Sequence, residues 1–247
     1  MAVTLGFLRF FQFFCKVVFG ESQILTKGDR LKMKKHRQKQ FITPCSLLAA
    51  FVLWTAAICR IDVQPIGPRG SAVGFASLNQ LVHRFTGVRL WLYTVTDWLG
   101  LVPILFALGF ALLGMVQWIR RKSIRKVDWS ILVLGGFYAA VVGVYLFFEG
   151  HVINYRPLLI DGVLEASYPS STTMLALCVM STARMQLRSR IRGTSLRRGV
   201  SAGIGVFTAF MVVGRLLSGV HWFTDIVGGM LLSGGLVTLY RAVSNLK

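Results

Sequence analysis

Six apolar runs constrain this chain more than any other feature. They fall at approximately 41–59, 98–119, 129–148, 172–187, 199–215 and 222–241. Crossing a bilayer takes about 20 apolar residues. Backbone groups in hydrocarbon must bond within their own segment, so such runs are helices and not strands. The fourth and fifth are short, which suits helices buried among neighbours. In a chain of 247 residues the runs leave no room for a separate soluble domain. The sequence therefore predicts an all-α, integral-membrane bundle of six transmembrane helices over 41–247. A basic cytoplasmic or interfacial segment, 1–40, precedes it.

The charge is lopsided, with 28 Lys and Arg against nine Asp and Glu. A basic chain can point to nucleic acid, but here the cations cluster beside the apolar runs. There they read as topology signals and anionic-lipid contacts, and no nucleic-acid partner is expected. Residues 27–39 hold seven Lys or Arg, 120–126 hold five and 184–198 hold six. With six spans these clusters share one side, which the positive-inside rule makes cytoplasmic. Both termini are then cytoplasmic, and 60–97, 149–171 and 216–221 face outward.

Residues 1–20 place Arg9, Gln12 and Lys16 on one helical face among Phe and Val. Two readings stay open. The stretch is an interfacial amphipathic helix, or the chain starts too early and Met33 is the natural beginning. Cys15, Cys45, Cys59 and Cys178 show no metal-ligand spacing and read as apolar filler. In the first outer loop Phe75, Leu78, Leu81, Val82 and Phe85 share a face, which predicts an amphipathic interfacial helix. His83 falls on its polar side and reads as solvated. GGMLLSGG in the last run offers small residues for close packing, within one bundle or between two, and leaves the oligomeric state open.

The stretch GRLLSGVHWFTDIVGG, 214–229, puts Arg215, His221 and Asp225 where the last run meets the outer water. His221 and Asp225 are four apart, a spacing that shares one helical face. A carboxylate there fixes the imidazole tautomer and leaves the other nitrogen as base or nucleophile. A second outer segment supplies Arg156 and the run Ser170, Ser171, Thr172, Thr173 at a helix start. Forked guanidiniums and free helix N–H groups suit a tetrahedral anion. Each piece alone also fits a structural brace. Together on one face they predict a phosphate pocket with an activated histidine, at head-group level. The carboxylates are scattered without ligand spacing, so no metal or other cofactor is implied.

These residues resemble the type 2 phosphatidic acid phosphatase superfamily, whose patterns are Lys-x6-Arg-Pro, Pro-Ser-Gly-His and Ser-Arg-x5-His-x3-Asp. Arg215, His221 and Asp225 keep the third spacing, with Gly214 in place of the Ser. Arg156-Pro157 keeps the end of the first, with Glu149 where the Lys belongs. Pro169-Ser170 opens the second, but Ser171 and Thr172 stand where the family has Gly and His. The resemblance implies that His221 accepts the phosphoryl group, that Asp225 orients it and that Arg215 holds phosphate oxygens; by their own chemistry Arg156, Ser170, Ser171 and Thr172 complete the expected phosphate-binding set. It also implies a lipid phosphate or diphosphate substrate among membrane lipids, on the extracytoplasmic face of a bacterial plasma membrane.

The departures bear on the chemistry. Thr172 cannot protonate a leaving oxygen at neutral pH, and His151, two residues after Glu149, is the alternative acid. General acid catalysis contributes roughly 10²–10⁴ in rate. An alkoxide needs that proton; a lipid phosphate leaving from a diphosphate does not. The expected activity is removal of the terminal phosphate from a lipid diphosphate such as a polyprenyl diphosphate, in cell-envelope lipid recycling. The alternative is a catalytically inactive relative that binds or transports phospholipid head groups.

Overall fold

The computed structural model describes residues 27–246, with side chains from residue 39 onward. The expectations for residues 1–20 and Cys15 lie outside the described residues. The described part is helical, without strands: α1 (Lys27–Ile58), α2 (Ala76–Thr86), α3 (Leu90–Leu99), α4 (Leu101–Arg121), α5 (Trp129–Gly150), α6 (Ser171–Arg190), α7 (Thr194–Leu217) and α8 (Phe223–Ser244). Among the described residues five segments are long and apolar enough to cross a membrane: Lys39–Ile58, Leu90–Arg121, Trp129–Gly150, Thr194–Leu217 and Phe223–Ser244.

The expected fourth run is present as α6, but α6 does not reach that apolarity. Its hydroxyls and terminal arginines dilute it. Two of its polar groups are enclosed and bonded: Thr182 donates to the Cys178 carbonyl at 2.8 Å, and Gln186 to the Ser130 carbonyl at 3.2 Å. The second run also begins earlier than expected. Residues 90–97, read as outer loop, are the helix α3. Gly100 keeps right-handed helical angles, so α3 runs on into α4. Tyr93, Thr96 and Asp97 hid this in the sequence; Thr96 is fully buried and returns its hydroxyl to the Leu92 carbonyl at 2.9 Å.

Helix α8 is the axis of the bundle and packs against α1, α5 and α6. Its small residues allow this, since a side chain at Gly235 would collide with Leu48. The core around it joins Phe51, Phe137, Met174, Cys178 and Leu232. Small residues at close helix contacts are the usual solution in a membrane, where apolar burial drives little association.

The helix α2 is amphipathic as expected, but its polar side is the inner one. Leu78, Leu81 and Phe85 are exposed while Asn79 is buried. His83 is not a solvated residue: its Nε2 lies 3.1 Å from the Gly219 carbonyl, and its ring leans on Trp222. The loops close on each other here. Gly219 has φ +71°, and a Cβ there would sit 2.0 Å from the Gly87 carbonyl oxygen. Only glycine meets both demands. We predict that Gly219→Ala lowers stability by at least about 2 kcal/mol, read as a lower thermal midpoint in detergent beside Gly150→Ala, whose added Cβ meets nothing.

Candidate active site

The turn 218–222 and the first turn of α8 carry the centre of the site. His221 lies just ahead of α8 and not on its face; Asp225 is the third residue of the helix. Asp225 is fully buried. Its Oδ2 accepts from the Trp222 N–H at 2.9 Å and from the Ser167 hydroxyl. Its Oδ1 accepts from Asn154 Nδ2 at 3.2 Å. A buried carboxylate persists only when bonded in this way.

His221 Nδ1 is 3.8 Å from Asp225 Oδ2, beyond hydrogen-bond range. Ser167 Oγ stands between them, 3.3 Å from Nδ1 and bonded to the carboxylate. The serine thus bridges the pair. With Nδ1–H donating to Ser167 Oγ, Nε2 keeps a free lone pair. Burial pushes the imidazole down from 6.5 to about 4, with the Asp225 carboxylate opposing and the Arg156 and Arg215 cations assisting. His221 is therefore neutral at pH 7.

The two arginines meet over one ring. Arg215 lies 4.9 Å from the centre of Tyr93 and Arg156 5.9 Å. Each has a carboxylate beside it: Glu165 at 2.9 Å from Arg156 Nε, and Asp97 at 3.6 Å from Arg215 Nη1. Ser170 caps α6 and donates its backbone N–H to the Asp225 carbonyl at 3.1 Å, which brings the helix start against the His–Asp turn. In this part of the bundle His221 Nε2, Arg215 Nε, Arg156 Nη1, Ser170 Oγ and Thr173 Oγ1 are buried and have no hydrogen-bond partner among the described residues. Buried polar groups are nearly always satisfied. An orphan set containing two guanidiniums, a hydroxyl at a helix start and a free imidazole nitrogen describes the outline of a bound anion.

The remaining residues singled out in the sequence fall as follows. Ser171 lines a small depression with Glu149, Tyr145 and Ser167. Thr172 is half-buried on the first turn of α6, and Glu149 is exposed. His151 is exposed, stacks on Phe147 and bonds the Phe147 carbonyl at 3.0 Å, which ties it to its own helix end. Ser167, Asn154, Tyr93 and Asn79 were not anticipated. Asn79 holds the start of α8, donating to Thr224 Oγ1 at 3.0 Å and accepting from the Thr224 N–H at 3.2 Å. No local spacing marks these residues, because their partners are 54 to 145 positions away.

A neutral buried histidine makes stability depend on pH. The unfolded chain binds the proton at 6.5 and the folded one near 4, so stability is full above 6.5 and falls as pH drops between the two. The limit of the effect is of order 3 kcal/mol. We predict that wild type loses thermal midpoint over this window by more than His221→Gln does, measured on both proteins in the same detergent.

The chain matches no family model and no curated protein. Among solved structures it is similar to a transmembrane PAP2 type phosphatidylglycerolphosphate phosphatase from Bacillus subtilis. The TM-score is 0.57 at 20% identity, over 81% of this chain and 94% of that one. With five apolar spans among its described residues, the chain is an integral membrane protein whose fold is similar to that of a PAP2-type phosphatase.

Proposed function

We propose that this protein is a lipid phosphatase that works through a phosphohistidine at His221. The observation that carries the reading is the buried, unpartnered His221 Nε2 among the orphaned donors of Arg156, Arg215 and Ser170. In the first step Nε2 attacks phosphorus; the P–N bond forms, and the P–O bond to the lipid breaks. Ser167 and Asp225 hold the Nδ1 proton while positive charge develops on the ring. Arg156, Arg215, Ser170 and the N–H groups opening α6, at Ser171 and Thr172, hold the non-bridging oxygens. Water then attacks the phosphohistidine, releasing orthophosphate and restoring the imidazole.

His221 lacks a plain acid partner for the leaving oxygen. Thr172 has no suitable proton, and His151 is held at its own helix end. The chemistry then favours a leaving group that departs without protonation. A lipid diphosphate supplies one, because its terminal P–O bond expels a lipid phosphate, and a polyprenyl diphosphate is the substrate class we propose. The six helices α1, α3–α4, α5, α6, α7 and α8 would then cross the membrane with the basic clusters inside. The site would open extracytoplasmically, with α2 lying at the interface, in a bacterial plasma membrane. A head-group binder without turnover is the rival, favoured by Glu165 and Asp97 already beside the two arginines.

The test is phosphate release in detergent from a polyprenyl diphosphate, a polyprenyl monophosphate and phosphatidic acid. We expect release fastest from the diphosphate and none from His221→Ala. Phosphatidic acid as the preferred substrate would overturn the leaving-group argument; lipid binding without release from any of the three would establish the binder. We further expect Ser167→Ala to lower kcat by about ten- to a hundredfold, as for groups that orient metal-ligating histidines. Its KM should hold, because Ser167 is bonded to His221 and Asp225 and is not among the groups assigned to the phosphate oxygens.

A further inference from the structure

At the end of the bundle away from His221 there is a polar cavity of about 640 Å³, between the start of α5 and the later turns of α6 and α8. Arg184, Arg188 and Arg241 line it together with serine hydroxyls, and no carboxylate does. None of the three guanidiniums has an ion pair or hydrogen bond among the described residues. Asp128, the acid at the head of α5, is engaged elsewhere, with Arg121 at 2.9 Å and Gln117 at 2.7 Å. The cavity's floor is fixed in advance: Gln186 bonds the Tyr240 hydroxyl and the Ser130 carbonyl, tying three helices together. Ser244 Oγ in its wall is buried without a partner among the described residues.

Depth identifies the ligand class. Helix α6 starts beside Asp225 and lines this cavity from Ser181 to Ser189. At about 1.5 Å per residue those positions lie about 15–27 Å along a helix whose 20 residues span about 30 Å, the thickness of a bilayer's hydrocarbon core. The cavity thus runs from near the middle of the core to the head-group level of the leaflet opposite the His221 site. Apolar Met185 and Val237 form part of its wall, beside the polar groups. Guanidiniums without counter-ions, hydroxyl donors and an apolar flank at that depth are complementary to a phosphate diester carrying acyl chains. We propose that this cavity binds the head group of an anionic phospholipid from the leaflet opposite the His221 site.

The test compares thermal midpoints of the full chain in phosphatidylcholine bicelles doped with phosphatidylglycerol. That lipid is a phosphodiester without a terminal phosphate for His221 to remove. Wild type is expected to be stabilised by phosphatidylglycerol beyond phosphatidylcholine alone. In Arg184→Gln/Arg188→Gln/Arg241→Gln the half-saturating amount should rise at least about tenfold. Arg120→Gln/Arg125→Gln, which removes the same kind of charge outside the cavity, should respond like wild type. Three results would each overturn the proposal: an unchanged response in the triple variant, an equal loss in the Arg120/Arg125 variant, or inorganic phosphate stabilising wild type as well as the lipid does. All three cavity arginines are exposed, so the triple variant should fold. If it does not, Arg188→Gln alone, with the phosphatidylglycerol retained through purification measured by mass spectrometry, decides the matter by the same criteria.

Discussion

The site depends on one buried carboxylate. Asp225 has no exposed surface, and its two oxygens gather donors from the turn before α8, from Ser167 and from Asn154. An ionised carboxylate without these bonds would be strongly destabilising at that depth. Its presence therefore forces the long segment 149–170 to return to the start of α8. That return seats Ser170 and the head of α6 beside His221 and places Arg156 opposite Arg215. The gathering of these side chains follows from satisfying a single buried carboxylate.

The surrounding elements hold this centre from three sides. Trp54 of α1 donates to the Thr224 carbonyl, Asn79 of α2 caps the same turn, and Gly228 on α8 lets the Tyr168 ring lie flush against the helix. A methyl group at Gly228 would be 2.4 Å from that ring. Such contacts fix the backbone on either side of the turn that carries His221.

Some of this was legible in the sequence, for identifiable reasons. Runs such as 129–148 and 222–241 were legible because uninterrupted apolarity reports a span directly. The Arg215, His221, Asp225 set was legible because its spacing is local, although the pair straddles a helix start instead of sharing a helix face. The helix α3 was not, because Tyr93, Thr96 and Asp97 look like loop until Arg215 is placed against them. Ser167 was not, because its meaning comes entirely from residues 54 and 58 positions later. The polar inner side of α2 was not, because periodicity finds the two faces of a helix without saying which one meets protein.

The unpaired polar atoms also have a thermodynamic meaning. Each buried donor or acceptor left without a partner costs about 1–3 kcal/mol, and Arg156, Ser170, Arg215 and His221 each carry at least one. A ligand that paired with them in the folded chain, and not in the unfolded one, would raise the stability of the whole bundle by mass action. The end of the bundle that carries His221 is therefore where the fold has most to gain from binding.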